Sequence, residues 1–231
     1  MSWVLFYTKD TTDLAEFLSL STVIKAQKAG RGPLTSNGAE AGAFFKSRAD
    51  MEAPNLQFHM APSGFYDHFL HESVRRGLSI GSTLVRVEST GYIKLRSADP
   101  TWHPEIDPGY YAEGADLDAM IAGYRTVYDV VGQGPIAKYI AGPWDPASSN
   151  PTTDDIAASI ARRGETIYHP VATCSMGTVE GSVVDPELKV HGIEGLRVAD
   201  ASVMPRIPRG NTNAPTIMIG EKCADLIKES R

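Results

Sequence analysis

An amphipathic helix is the strongest structural constraint in this sequence. Between residues 117 and 131, apolar side chains recur every three or four positions, the period of an α-helix that buries one face. The apolar positions are Leu117, Met120, Ile121, Tyr124, Val127, Tyr128 and Val131. Gly132 and Gly134 follow directly, so the helix is predicted to end there.

Other segments predict a mixture of helices and strands. A second helix is expected over residues 154–163, which begin with acids and end with Arg162 and Arg163. Residues 56–60 alternate apolar and polar side chains, as in a half-buried strand. Further strands are expected at 83–88 and 92–96, around a turn that ends in Gly91.

The C-terminal third has a different character. Short β-type runs are predicted at 182–185 and 196–199, and Asp200 stands at the end of the second run. A terminal helix is predicted to open at Pro215, with Asn213 as its N-cap.

The composition excludes several classes of protein. With 42% hydrophobic and 22% charged residues, the 231-residue chain resembles an ordinary globular protein. The net charge is −6 and no long basic run occurs, which argues against a nucleic-acid partner. Two cysteines provide no disulfide framework, and the apolar stretch at residues 3–7 is too short for a membrane span. We therefore expect a cytoplasmic protein that does not cross a membrane.

Two segments carry candidate catalytic residues. The first, YHPVATCSMG at 168–177, contains His169, which taken alone favours a turn or partly buried histidine with locally satisfied nitrogens over a catalytic one. The second, VADASVMPRIPRGNTNAPT at 198–216, ends in two asparagines before the terminal helix. Helix capping explains Asn213 but leaves Asn211 without a structural reason.

The order of these motifs resembles the C-terminal signature of the glucose-methanol-choline (GMC) family of FAD-dependent oxidoreductases. The matching stretches are HPVATCSMG at 169–177, VVDP at 183–186, GLRVADAS at 195–202 and GNTNAPT at 210–216. Upstream, residues 32–44, 56–62 and 93–111 are similar to the family's substrate-domain segments. The resemblance covers nearly the whole chain.

The resemblance implies a fold and a domain organisation. The expected fold class is α+β, with a substrate domain built on a largely antiparallel sheet flanked by helices. Residues 1–165 would form this substrate-binding domain, and residues 166–231 would supply a catalytic strand-helix segment that completes an FAD-binding domain. Since no GxGxxG motif follows a strand, the N-terminal FAD-binding region is expected to be supplied in cis or in trans.

The resemblance also implies roles for individual residues. His169 would take the hydroxyl proton of the alcohol, since an imidazole can accept a proton near neutral pH. Asn211 would donate a hydrogen bond to the alkoxide that forms. Asp200 and Ala201 would lie against FAD, although without the resemblance a helix-cap or turn carboxylate explains Asp200 equally well. The start of the terminal helix would face the electron-rich edge of the flavin, through Asn213, Ala214, Pro215 and Thr216.

The remaining histidines carry weaker predictions. His59 is a candidate substrate contact, because it faces away from the side of the strand that carries Leu56, Phe58 and Met60. His68 and His71 have a spacing that suits a metal, but no third ligand is evident nearby, and no metal is predicted. His103 and His191, like these two, are expected to be solvated.

The implied function is oxidation of the CH–OH group of a small alcohol by hydride transfer to FAD, as in a choline dehydrogenase-like alcohol dehydrogenase or oxidase. Two alternatives stay open. The chain could be an inactive fragment that acts as a binding or pseudo-enzyme module, or it could belong to a flavin-containing hydroxynitrile lyase type.

Overall fold

The computed structural model describes residues 1–9, 20–31, 33–65, 67–69, 76–178 and 180–230. The chain divides into two compact units. The first unit consists of Met1–Leu84 and Gly114–Ile167, and the second of Val85–Glu113 and Tyr168–Arg231. The boundary predicted at residue 165 separates a substrate-binding role from a catalytic role, whereas these units are defined by packing. The predicted domain assignment therefore stays a prediction.

The described elements combine helices and strands. In chain order they are β1 (Ser2–Thr8), α1 (Leu20–Ala29), β2 (Ala41–Phe45), β3 (Leu56–Ala61), β4 (Gly77–Leu84), β5 (Tyr92–Lys94), β6 (Glu105–Asp107), α2 (Gly114–Val131), α3 (Gly134–Ala137), β7 (Ile140–Asp145), α4 (Thr153–Arg163) and α5 (Asn213–Glu229). Short 3-10 helices lie at Pro33–Thr35, Asp67–Phe69 and Ala201–Val203. No helix within the described ranges has the length and apolarity needed to cross a membrane.

The first unit is built on a five-stranded sheet. Its strand order is β2-β3-β4-β1-β7, and every neighbouring pair runs antiparallel. The predicted α+β class with an antiparallel sheet is therefore confirmed. Strand β3 occupies the segment in which the alternation of apolar and polar residues predicted it.

Helix α2 covers one face of this sheet, as its apolar stripe predicts. Met120, Tyr124 and Val127 are fully buried. The helix lies so close to β4 that a Cβ atom added at Gly123 would meet Oγ of Ser82 at 2.3 Å. The Tyr124 hydroxyl donates to the main-chain oxygen of Trp3 at 3.1 Å, which fastens the helix to β1.

Of the strands predicted at 83–88 and 92–96, the second forms as β5, whereas residues 85–88 are not part of a strand. Strand β4 ends at Leu84, and β5 pairs with β6 in a separate two-stranded sheet. The reason is the close approach of the turn to the second strand of that pair, because a Cβ atom at Gly91 would meet the main-chain oxygen of Asp107 at 2.0 Å. The alternation of apolar and polar residues within one segment does not show which strand pairs with it, and the partner β6 comes only after a Pro-rich turn.

The second unit has a small core of its own. The predicted β-type runs at 182–185 and 196–199 form isolated bridges and not strands, namely Met176 with Val184, Val184 with Val190, and Lys189 with Arg197. Six buried side chains make the core: Val184, Leu188, Val203, Met204, Ile219 and Cys223. Helix α5 is therefore fixed to the loops through one apolar face.

A buried carboxylate stabilises the first unit. Oδ1 of Asp145, at the end of β7, accepts from Ser159 at 2.9 Å, and Oδ2 accepts from Arg163 at 2.8 Å. Arg162 adds a third bond at 3.1 Å. All three partners lie on α4, so this carboxylate joins the helix to the sheet.

Asp145→Ala is expected to lower the free energy of unfolding by about 3 kcal/mol, because it removes the buried carboxylate that accepts from Ser159, Arg162 and Arg163. Urea denaturation monitored by circular dichroism would measure the change. Asp50→Ala is the matched control, since the exposed Asp50–Arg48 pair should contribute nothing measurable. Equal urea midpoints for the two variants would contradict the role assigned to Asp145.

Candidate active site

The loop that carries His169 is held against the 3-10 helix at Ala201–Val203. The backbone N–H of Cys174 donates to the oxygen of Ser202 at 3.0 Å, and that of Met176 donates to the oxygen of Val203 at 2.9 Å. Because Val203 is fully buried in the core of the second unit, these bonds tie the histidine loop to a rigid support. The histidine loop and the segment that contains this 3-10 helix, which are separate in the sequence, thus lie close together in the structure.

The backbone on either side of His169 is strained. Tyr168 has φ 62° and Ala172 has φ 72°, in the left-handed region that residues with a Cβ atom seldom adopt. Such conformations persist only where surrounding contacts impose them, and they concentrate at functional sites. The loop is therefore held in a shape that its own residues do not prefer.

The imidazole of His169 is bound by Thr212, which sequence reasoning missed. Nδ1 lies 2.6 Å from the Thr212 hydroxyl oxygen, and the backbone N–H of Thr212 donates to the same nitrogen at 3.2 Å. Thr212 is buried, whereas His169 is half-buried. A threonine between two asparagines carries no sequence signal for a partner 43 positions away.

The predicted N-cap of the terminal helix is corrected by one residue. Helix α5 begins at Asn213, so the cap position falls on Thr212. The Thr212 side chain makes no capping hydrogen bond, since its hydroxyl is engaged by His169. Asn213 is therefore the first helical residue and not the cap.

Asn211 directly precedes the residue that binds His169. Its side chain is exposed, and the bond at Thr212 holds this part of the backbone next to the ring. The structure thus brings together the two segments that carry His169 and Asn211. The catalytic roles assigned to them stay predictions.

The start of α5 suits an electron-rich ligand. Its first turn holds no acidic residue and receives no side-chain cap, so the positive end of this 17-residue helix is not neutralised locally. Asn213 and Ala214 are exposed there, and Pro215 and Thr216 are half-buried. These are the residues predicted to contact FAD, and the donor set fits the electron-rich edge of an isoalloxazine ring.

Asp200 acts as a turn-capping carboxylate. It occupies the N-cap of the 3-10 helix, and its Oδ1 accepts from the backbone N–H of Ser202 at 2.8 Å. This is the structural alternative that the sequence left open. Contact of Asp200 and Ala201 with FAD stays a prediction.

His59 lies on the face of the sheet that α2 does not cover. In register it stands between Gly42 of β2 and Gly81 of β4. The opposite face carries Leu56, which approaches Gly123 of α2. The predicted orientation is confirmed, while substrate contact by His59 stays a prediction.

The structure describes the surroundings of His68 but not those of His71. Nε2 of His68 lies 3.4 Å from Oε2 of Glu165, so this side chain is less solvated than the sequence suggested. His71 falls outside the described residues. Within the described ranges, no cluster of three potential metal ligands occurs.

Comparison with known proteins identifies relatives of this chain. Residues 87–220 match the C-terminal sequence model of the family described as GMC oxidoreductase. An alcohol dehydrogenase (acceptor) of Pseudomonas putida is 44% identical over 197 residues, which are 85% of this chain and 36% of that protein. An oxygen-dependent choline dehydrogenase of Paraburkholderia phymatum is 39% identical over 199 residues, which are 86% of this chain and 35% of that protein.

A solved structure shows the same fold. The formate oxidase of Aspergillus oryzae superposes with a TM-score of 0.85 at 26% identity, covering 100% of this chain and 46% of that one. Across the curated relatives described, the chain spans 35% to 36% of their length. It corresponds to their C-terminal portion.

Ala172→Gly is expected to leave the free energy of unfolding unchanged or to raise it by up to about 1 kcal/mol, because glycine adopts positive φ without strain. Ala158→Gly, at an exposed position inside α4, is the matched control and should lower it by about 1 kcal/mol. Denaturant unfolding of the two variants would compare them directly. A destabilisation of equal size at both positions would show that residue 172 is not strained.

Proposed function

Because the chain belongs to the GMC oxidoreductase family, we propose that it forms the C-terminal portion of an FAD-dependent enzyme that oxidises the CH–OH group of a small alcohol. The observation that carries this proposal is the bond between Nδ1 of His169 and Thr212. It fixes an imidazole next to Asn211 and next to the uncapped start of α5. This arrangement supports a site in which the imidazole, the Asn211 amide and the start of α5 act together.

His169 and Asn211 have different roles at the substrate oxygen. When bound, FAD would supply the acceptor for the hydride of the alcohol carbon. Nε2 of His169 takes the hydroxyl proton, which raises the electron density on the oxygen and favours loss of the hydride. The Asn211 amide can only donate or accept hydrogen bonds, so it stabilises the developing alkoxide and does not take its proton.

The residues around the helix start would hold the cofactor. The N–H groups of Asn213 and Ala214 lie at the positive end of α5, where negative charge is stabilised. Thr216 lies in the same first turn, and its hydroxyl donates to the main-chain oxygen of Thr212 at 2.7 Å. Asp200 and Ala201 would border the cofactor from the adjoining 3-10 helix.

The remainder of the flavin site would come from a nucleotide-binding region, either joined to this chain or supplied by another. The chain spans 36% of the Pseudomonas putida relative, which leaves room for such a region in an enzyme of similar length. The relatives are named for alcohol, choline and formate, and a small alcohol is the substrate class that we propose here. Two free cysteines, Cys174 and Cys223, fit a reducing compartment such as the cytoplasm.

His169→Ala is expected to slow alcohol-dependent flavin reduction by about 10²- to 10⁴-fold, the range that a general base contributes. Stopped-flow absorbance of the oxidised flavin under anaerobic conditions would measure the rate. His103→Ala replaces an exposed histidine and serves as the control.

Three results would redirect the proposal. A wild-type rate in His169→Ala would remove His169 from the base role. A purified protein without flavin absorbance, even when the nucleotide-binding region is present, would favour a binding or pseudo-enzyme module. Cleavage of a cyanohydrin without net flavin reduction would favour the hydroxynitrile lyase type.

A further inference from the structure

Thr212 engages His169 through two chemically different groups at one nitrogen. Both hydrogen bonds that the ring makes within the described part of the chain involve Nδ1, one with the Thr212 hydroxyl and one with its backbone N–H. We propose that Thr212 is the positioning residue of His169, and that its hydroxyl allows Nδ1 to carry a proton while Nε2 presents a lone pair to the substrate. This inference rests on the proposed function.

The two groups favour opposite forms of the neutral ring. A backbone N–H can only donate, so it stabilises a bare Nδ1 and therefore the tautomer with its proton on Nε2. A hydroxyl can donate or accept, so it can also stabilise a protonated Nδ1. Of the two partners at Nδ1, the hydroxyl alone can serve the tautomer that has a lone pair on Nε2.

The distances indicate that the hydroxyl is the stronger partner. It lies 2.6 Å from Nδ1, whereas the backbone nitrogen lies 3.2 Å away, at the long end of the usual range. Thr212 is only 6% exposed, so bulk water competes weakly for either group. A short hydrogen bond in such surroundings gains strength from the low local dielectric constant.

The proton balance of the reaction follows from this arrangement. In the reactive form Nδ1–H donates a hydrogen bond to the Thr212 oxygen, so Nδ1 no longer accepts from the Thr212 backbone N–H, and the Nε2 lone pair faces the alcohol. When Nε2 takes the hydroxyl proton, the ring becomes an imidazolium, and its Nδ1–H remains bonded to the same oxygen. The Thr212 hydroxyl oxygen therefore accepts the hydrogen bond from Nδ1–H both before and after proton transfer.

The Thr212 hydroxyl can be removed while the backbone N–H of Thr212 still bonds to His169. It makes no capping hydrogen bond, so its loss leaves the helix cap as it is. Valine keeps the shape of threonine and also keeps the backbone N–H. Thr212→Val therefore removes the one partner that can accept and retains the partner that can only donate.

The test compares Thr212→Val with Thr212→Ser in the FAD-loaded protein that contains this chain. Two-bond ¹⁵N–¹H correlation spectra of the histidine rings, recorded at alkaline pH, report which nitrogen of His169 carries the proton. We expect the wild type and Thr212→Ser to show protonated Nδ1, and Thr212→Val to shift toward protonated Nε2. Thr126→Val is the matched control, because it removes a threonine hydroxyl that donates to the main-chain oxygen of Ala122 within α2.

The kinetic readout separates positioning from binding. In Thr212→Val we expect kcat to fall about tenfold, the factor that corresponds to one strong hydrogen bond, with KM nearly unchanged. Thr212→Ser should recover most of kcat, because it restores the hydroxyl. A structural defect would instead raise KM or release FAD, and serine would not rescue it selectively.

The outcomes distinguish this inference from the proposed function. Unchanged ring spectra in Thr212→Val, or protonated Nε2 in the wild type, would overturn the role of the hydroxyl whether or not the protein oxidises alcohols. Spectra that shift as expected in a protein that oxidises no alcohol would support the positioning of His169 and refute the proposed function.

Discussion

The hydrogen bonds between His169 and Thr212 are the interaction on which the candidate site depends. They join two loops that lie 43 positions apart in the chain, and they do so at a single ring nitrogen. With Nδ1 committed to the protein, the other ring nitrogen is the one left for chemistry. The contact also fixes the backbone just before α5, so the orientation of the ring and the start of the helix are determined together.

This interaction requires support from the rest of the second unit. The histidine loop is bonded to the 3-10 helix at Ala201–Val203, and that helix contributes Val203 to the apolar core shared with Ile219 of α5. The backbone hydrogen bonds fix the position of the histidine loop, and core packing fixes the position of the 3-10 helix. The strained dihedrals at Tyr168 and Ala172 persist because these contacts hold both ends of the loop.

Sequence periodicity predicted the elements that are stabilised locally. Helix α2 and strand β3 were predicted because each has an apolar face at the period of its own structure, and α4 was predicted because acids begin it and arginines end it. The pairing of β5 with β6 was not predictable, since the partner is chosen by a tight approach at Gly91. Motif order located His169 and the segment around Asn211. The role of Thr212 was missed, because a contact between two side chains that are distant in the sequence produces no repeating sequence pattern.

The contact between Gly123 and Ser82 has a consequence for related sequences. With 2.3 Å between a Cβ atom at position 123 and the Ser82 oxygen, alanine can enter only if the Ser82 hydroxyl rotates away, the facing side chain shrinks, or α2 moves away from the sheet. A displaced helix would expose Tyr124 and Val127, which are fully buried. Positions 82 and 123 should therefore covary among homologues, and a larger residue at one should accompany a smaller residue at the other.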